Sequence, residues 1–280
     1  HRRGEENYRR SGVVDPLRIP KDGFFAHKVM CDGWVDIEKE HTYIIGHWNY
    51  SPDVAKPVYV VSTGDRVELF VNGKSKGFGK QDCRFLFTFE KVQWEKGTIE
   101  AVSYNEFGKE LSRYSIETVG EPEKLKLTLM HSPEGLFADG ADLAMIQVEV
   151  VDSNGNRCPL ANNMVRFNLQ GPAEWRGGIA QAADNYVLAL PVECGITRVL
   201  VRSTDKAGKI TIKAEASGLV SDEVSLTSIP VKVENGLSKF FPSEKLASRF
   251  DRGETPLTPS YKNSKVDVRV KSAVAGVNSE

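Results

Sequence analysis

The chain has 280 residues, and its 37 Lys and Arg against 38 Asp and Glu leave a formal net charge of −1. That balance excludes the concentrated basic surface needed to hold nucleic acid or an anionic membrane, and no apolar run approaches the ~20 residues that span a bilayer. The length accommodates two ordinary domains without help from disulfides or metal. Cys31, Cys83, Cys158 and Cys194 lie far apart with no CxxC spacing, so neither a zinc site nor a disulfide framework is indicated, and four buried free thiols are expected.

The opening His1-Arg2-Arg3-Gly4-Glu5-Glu6 is not a signal peptide. Next, Pro20 suits a first helical turn, and Phe24, Phe25, Lys28 and Val29 recur at one-turn spacing, which predicts one short helix from about Pro20 to Met30. One amphipathic helix cannot make a core, and this chain provides no obvious partner for its apolar face, so the helix is expected either to be poorly protected or to dock on a neighbouring surface. Thr42 to Tyr50 reads as strand.

Val58–Val61 and Val67–Val71 then form the clearest strand pair, and Asn72-Gly73 follows as a tight hairpin turn. Further short apolar runs at Phe85–Phe89, Thr98–Tyr104 and Leu111–Thr118 complete the pattern of a small antiparallel sandwich. After the linker-like Gly120-Glu121-Pro122-Glu123, a second series follows at 124–130, 144–151, 164–169, 186–190, 197–203, 209–216 and 223–227. Ile146 to Val150 alternates strictly, which predicts one packed and one wet face. The content is immunoglobulin-like without the Cys-Trp-Cys spacing of antibody domains. Beyond Val233 the segment Phe240 to Tyr261 reads as an extended tail, and Val266 to Val270 as the start of a further strand.

The chemistry-bearing candidates are few. Asn105-Glu106 has the order of a glycosidase acid/base, but it sits between two strands where Asn and Gly are turn residues, and no second carboxyl can be nominated. Gly73-Lys74-Ser75 lacks the earlier glycine and following helix of a phosphate loop. Asp152 to Asn156 lacks the acid at loop position 12 of a calcium site, where Asn163 stands. His41 and His47 have no third ligand in view. Trp34 and Trp94 read as core or interface, and Trp48 as buried at the junction of leader and sandwich. Trp175, with Arg176, lies in a glycine-rich loop, Gly171 to Gly178. There the indole is read as either packing on its own domain or facing outward toward a ligand or partner, and Trp175 and Arg176 are the candidate ligand-binding residues. No catalytic, metal or cofactor site is assigned.

With those residues in view, the chain resembles the C-terminal half of bacterial glycoside hydrolase family 2 enzymes of the β-galactosidase type. The likeness is carried by Gly12-Val13-Val14-Asp15 with Arg18-Ile19-Pro20-Lys21-Asp22, by Ile44-Ile45-Gly46-His47-Trp48-Asn49, and by Val67-Glu68-Leu69-Phe70-Val71-Asn72-Gly73-Lys74-Ser75. Ala138-Asp139-Gly140 with Val148 to Asp152 adds a less specific fourth motif. The resemblance implies an all-β chain of tandem immunoglobulin-like β-sandwiches preceded by a short helical remnant of a TIM barrel. On this reading 1–50 is the barrel remnant, 51–120 the first sandwich, 121–233 the second and 234–280 a tail or linker. The family's two catalytic glutamates lie on a TIM barrel that precedes this region, so no residue here inherits either role. The implied partner is that upstream barrel of the same polypeptide, with carbohydrate as a candidate ligand and a periplasmic or secreted location for the whole protein. A stand-alone carbohydrate-binding or adhesion module of bacterial immunoglobulin-like repeats is the alternative, and the leader helix speaks against it.

Overall fold

The computed structural model describes residues 12–35, 37–179, 186–234 and 237–238, the last two and 233–234 as backbone. The segments read from sequence as a tail and a further strand, 240–261 and 266–270, lie outside the described residues. Two units are present. Among the described residues, one contains 12–14 and 20–118, and the other 15–19, 119–179, 186–234 and 237–238.

The first unit holds helix α1 (Asp22–Asp32) and strands β1 (Thr42–Ile44), β2 (Ala55–Ser62), β3 (Arg66–Val71), β4 (Lys74–Phe78), β5 (Lys80–Cys83), β6 (Leu86–Gln93), β7 (Thr98–Tyr104) and β8 (Glu110–Glu117). One sheet has the order β1-β2-β6-β5 and the other β4-β3-β7-β8. Lettered A to G in chain order, these are the ABED and C′CFG sheets of an immunoglobulin sandwich. The strand pair read at 58–61 and 67–71 is therefore not a ladder: β2 and β3 sit in opposite sheets, and Ser62 to Asp65 carries the chain across. Asn72-Gly73 does turn a hairpin, with φ of 50° and 75°, but its second arm is β4. That strand and β5 are almost wholly polar and exposed, so hydrophobic patterning did not reveal them.

Alternation fills the first core. Val67, Leu69 and Val71 point inward from β3 and meet Ile44, Trp48, Val60, Phe87 and Ile99. Trp48 is buried, as its junction position suggested, and donates its indole N–H to the Glu95 carbonyl at 3.0 Å. At one end a hydroxyl chain replaces apolar packing: Thr42 Oγ1 contacts Ser62 Oγ at 2.9 Å and Ser112 Oγ at 2.7 Å, and Ser112 Oγ meets Ser103 Oγ at 2.9 Å. Buried hydroxyls are tolerated because they satisfy one another.

Of the two outcomes expected for the helix, docking is the one seen, on a surface of its own chain. Val29 is fully buried beside Tyr43, Val61 and Phe85, and the Phe25 ring stacks on Tyr43 at 5.0 Å. Only its flank stays open, with Phe24 39% exposed. The last turn contains no basic residue. Arg84 supplies the missing positive charge, donating to the carbonyls of Gly33 at 2.5 Å and Trp34 at 2.9 Å, where a cation complements the helix dipole. Asp32 meets His41 at 2.6 Å. Trp34, expected in a core or interface, is 57% exposed.

The second unit has strands β9 (Lys124–Met130), β10 (Phe137–Ala138), β11 (Leu143–Val151), β12 (Met164–Gln170), β13 (Ala173–Gly178), β14 (Ala189–Pro191), β15 (Ile196–Ser203), β16 (Lys209–Ala216), β17 (Asp222–Thr227) and β18 (Ile229–Pro230). Its sheets run β13-β15-β11-β9 and β14-β12-β16-β17. The first is again the ABED order, and the second is CFG with β14 added beside C. Ala144, Ile146, Val148 and Val150 are fully buried along β11, the packed face that strict alternation required. A parallel two-residue ladder joins β10 to β18. Tyr186 to Leu188 is irregular, and only Ala189 and Leu190 of the expected strand lie in β14.

Asp152 organises the turn after β11. Its carboxylate accepts the N–H groups of Gly120, Asn154 and Asn156 at 2.9, 3.0 and 2.9 Å, so this segment is a turn built on a buried acid. Burial alone would raise its pKa, but these donors outweigh that and hold the carboxyl below the ordinary range. Of the cysteines only Cys158 is buried, its thiol pushed up to about 11 chiefly by desolvation. Cys31, Cys83 and Cys194 are exposed free thiols, against the expectation that all four would be buried.

Candidate functional site

Trp175 and Arg176 do not lie in a loop. They belong to β13, the edge strand of the ABED sheet, which starts two residues after Gly171 and pairs along β15. Gly171-Pro172 did break the ladder as read. The chain then crosses to the opposite sheet and pairs with β15 from Ala173 through Gly177 and Gly178, so these glycines lie in a strand and not in irregular backbone. Trp175 stands opposite Val201, a fully buried residue, and its half-buried ring packs on Phe167 at 5.1 Å with a 35° tilt. The indole N–H donates to the Val187 carbonyl at 3.3 Å. Of the two placements weighed for this ring, packing on its own domain is the one adopted.

Arg176 is the extra residue of a β-bulge. The register jumps from Trp175↔Val201 to Gly177↔Leu200, and Gly177, with φ of 71°, absorbs the bend. The bulge turns Arg176 away from the core. Its guanidinium lies 5.0 Å from the Tyr186 ring centroid, and Nη2 donates to the Tyr186 hydroxyl at 3.2 Å. Tyr186 is 54% exposed. The surface feature at this edge is thus a cation on a phenol, with the indole behind it in the core. Sequence reading missed Tyr186 because it was assigned to a strand; its aromatic character ten residues after Arg176 was the available signal. Such a pair can contact a sugar face or hydroxyls. It supplies no acid/base couple, since Glu174 is engaged by Arg202.

The other sequence candidates resolve into structure. Asn105 Oδ1 accepts the N–H groups of Phe107 and Lys109, closing the β7–β8 hairpin, and the Glu106 N–H is held by Asp65. Gly73-Lys74-Ser75 begins β4, with Ser75 donating to Glu68. His47 Nδ1 accepts the Asn49 N–H at 3.1 Å, and its ring stacks on Tyr50, which also lies under Lys56. Among the described residues no group of three His, Cys, Asp or Glu side chains could hold a metal, and no helix is long and apolar enough to cross a membrane.

Comparison with known proteins adds the family. Residues 127–225 match the model of glycoside hydrolase family 2 C-terminal domain 5, and residues 54–112 match a domain of unknown function, DUF4982. A β-glucuronidase of Formosa agariphila is 42% identical over 84% of this chain and 24% of its own length. The β-galactosidase BoGH2A of Bacteroides ovatus is 33% identical over 74% of this chain and 24% of its own. Among solved structures, a β-glucuronidase from glycoside hydrolase family 2 superposes with a TM-score of 0.78 at 40% identity, covering 85% of this chain and 25% of that one. The chain therefore spans about a quarter of the length of these relatives.

Proposed function

Because the chain corresponds to the C-terminal region of a bacterial glycoside hydrolase family 2 enzyme, we propose that it is a non-catalytic β-sandwich region that supports a catalytic TIM barrel of the same polypeptide. The reaction supported is hydrolysis of terminal β-linked sugars. The observation that carries this reading is the coverage: most of this chain matches only a quarter of a β-glucuronidase. The folded residues agree with it. The Asn-Glu dipeptide is turn chemistry, and the candidate ligand residues form a packing aromatic and a cation–phenol pair. A retaining or inverting glycosidase needs two carboxyls about 5 to 10 Å apart across a cleft. For the sugar we propose a β-glucuronide in preference to a β-galactoside, supported by 42% against 33% identity.

The test compares the purified chain with the full-length gene product on aryl β-glucuronides and aryl β-galactosides. The chain alone is expected to give no turnover above the buffer blank, and the full-length protein to hydrolyse the glucuronide faster. Turnover by the chain alone, or no glycosidase activity in the full-length protein, would overturn the proposal. Preference for the galactoside would overturn the sugar assignment.

A further inference from the structure

Residues 15–19 belong to the second unit although the chain on either side of them belongs to the first. The segment is a self-closed turn. Arg18 N–H returns to the Asp15 carbonyl at 3.0 Å with Pro16 at the second position, and Ile19 N–H bonds Asp15 Oδ1 at 2.7 Å. Arg18 sits at φ of 65°, in the left-handed region, and the Leu17 carbonyl accepts a hydrogen bond from outside the turn. The donor is Arg198 Nη1, at 3.0 Å and 181 residues away. Arg198 is not a free surface cation that happens to reach this oxygen. It is the direct cross-strand partner of Gln147 on the outward face of the ABED sheet, and both Nε and Nη2 donate to Gln147 Oε1 at 3.0 and 2.7 Å. Two of its contacts fix the plane of the fork, and the third is thereby aimed.

We infer that Gln147 and Arg198 form a clasp for peptide backbone whose occupant is the Asp15–Ile19 turn of this same chain. Arg198 is the positioning residue, and Gln147 holds its guanidinium in place. Recognition is of a carbonyl presented by a turn, so it depends on the turn's shape more than on the Leu17 side chain. If the glycoside hydrolase reading holds, the clasped turn lies in the motif that resembles the lead-in to the last barrel helix, and the clasp is where the second sandwich grips that segment. The clasp itself does not depend on the reading, and its test uses only this chain.

Hydrogen exchange followed by mass spectrometry would compare wild type with Arg198→Ala and Gln147→Met. Peptides covering 13–21 should exchange roughly tenfold faster or more in Arg198→Ala, with a smaller rise in Gln147→Met. Amides of β11 and β15 should keep their protection. Unchanged exchange at 13–21 in both variants would overturn the clasp, as would a rise spread equally over β11 and β15, which marks general destabilisation. If Arg198→Ala does not fold, Gln147→Met decides by the same criterion, since it removes only the acceptor that orients the fork.

Discussion

At His47 the surroundings set a titration without any ligand. Partial burial is the main cause that lowers its pKa from the ordinary 6.5, Lys56 adds to the lowering, and Asp22 opposes both. The bond from the Asn49 N–H to Nδ1 fits, because that nitrogen must be unprotonated to accept it. The unfolded chain therefore takes up a proton at a pH where the folded chain still refuses it. Stability from this residue is fully present above about pH 6.5 and is lost as the pH falls through that value toward the lower folded pKa. Urea midpoints measured between pH 7.5 and 5 should fall for wild type and fall less for His47→Gln, which cannot titrate. Equal falls in the two proteins would remove His47 from the account. Sequence showed two histidines without a third ligand, but it could not show that one stacks on a phenol that also carries a lysine.

At the scale of elements, the turn between β6 and β7 depends on the β3–β4 hairpin as well as on its own residues. Asn72 Oδ1 accepts the Thr98 N–H at 2.9 Å, and Nδ2 donates to the Lys96 carbonyl at 3.0 Å. Gly97 lies directly against this amide at φ of 132°, so an added Cβ would run into the Asn72 side chain in a conformation that L residues avoid. Gly97→Ala should cost about 2 kcal/mol in urea unfolding, and a cost within ~0.5 would show that the turn relaxes freely. Hydrophobic alternation and turn residues made most apolar strands legible, β11 most clearly. They failed for β4, β5 and β13, whose exposed or glycine-rich sequences become strands because a neighbour already offers a ladder. The same physics hid the candidate site: Gly177-Gly178 reads as loop until β15 pairs with it, and only the bulge separates Trp175 from Arg176. The helix was legible, but its partner was not, because Tyr43, Val61 and Phe85 come together from three strands or loops distant in sequence.

For the whole molecule, the decisive feature is that each sandwich closes its own core. Leu69 packs with Trp48, Val60 and Phe87 in one, whereas Ile146 packs with Val165, Leu190 and Val199 in the other. A chain with two such cores can lose one while keeping the other, and two-state treatment then fails. The tryptophans provide the probes. Trp34, Trp48 and Trp94 lie in the first unit, and Trp175 is the single tryptophan of the second. In urea, the fluorescence component that Trp175→Phe abolishes should report the second core, and the remainder the first. Leu69 and Ile146 are both fully buried, so truncating either to Ala should cost about 3 kcal/mol, which moves a midpoint by roughly 1–3 M at ordinary urea slopes. Leu69→Ala should shift only the remainder, and Ile146→Ala only the Trp175 component. If each substitution shifts both components equally, the sandwiches unfold as one cooperative body, and stability in this region is then a property of the pair.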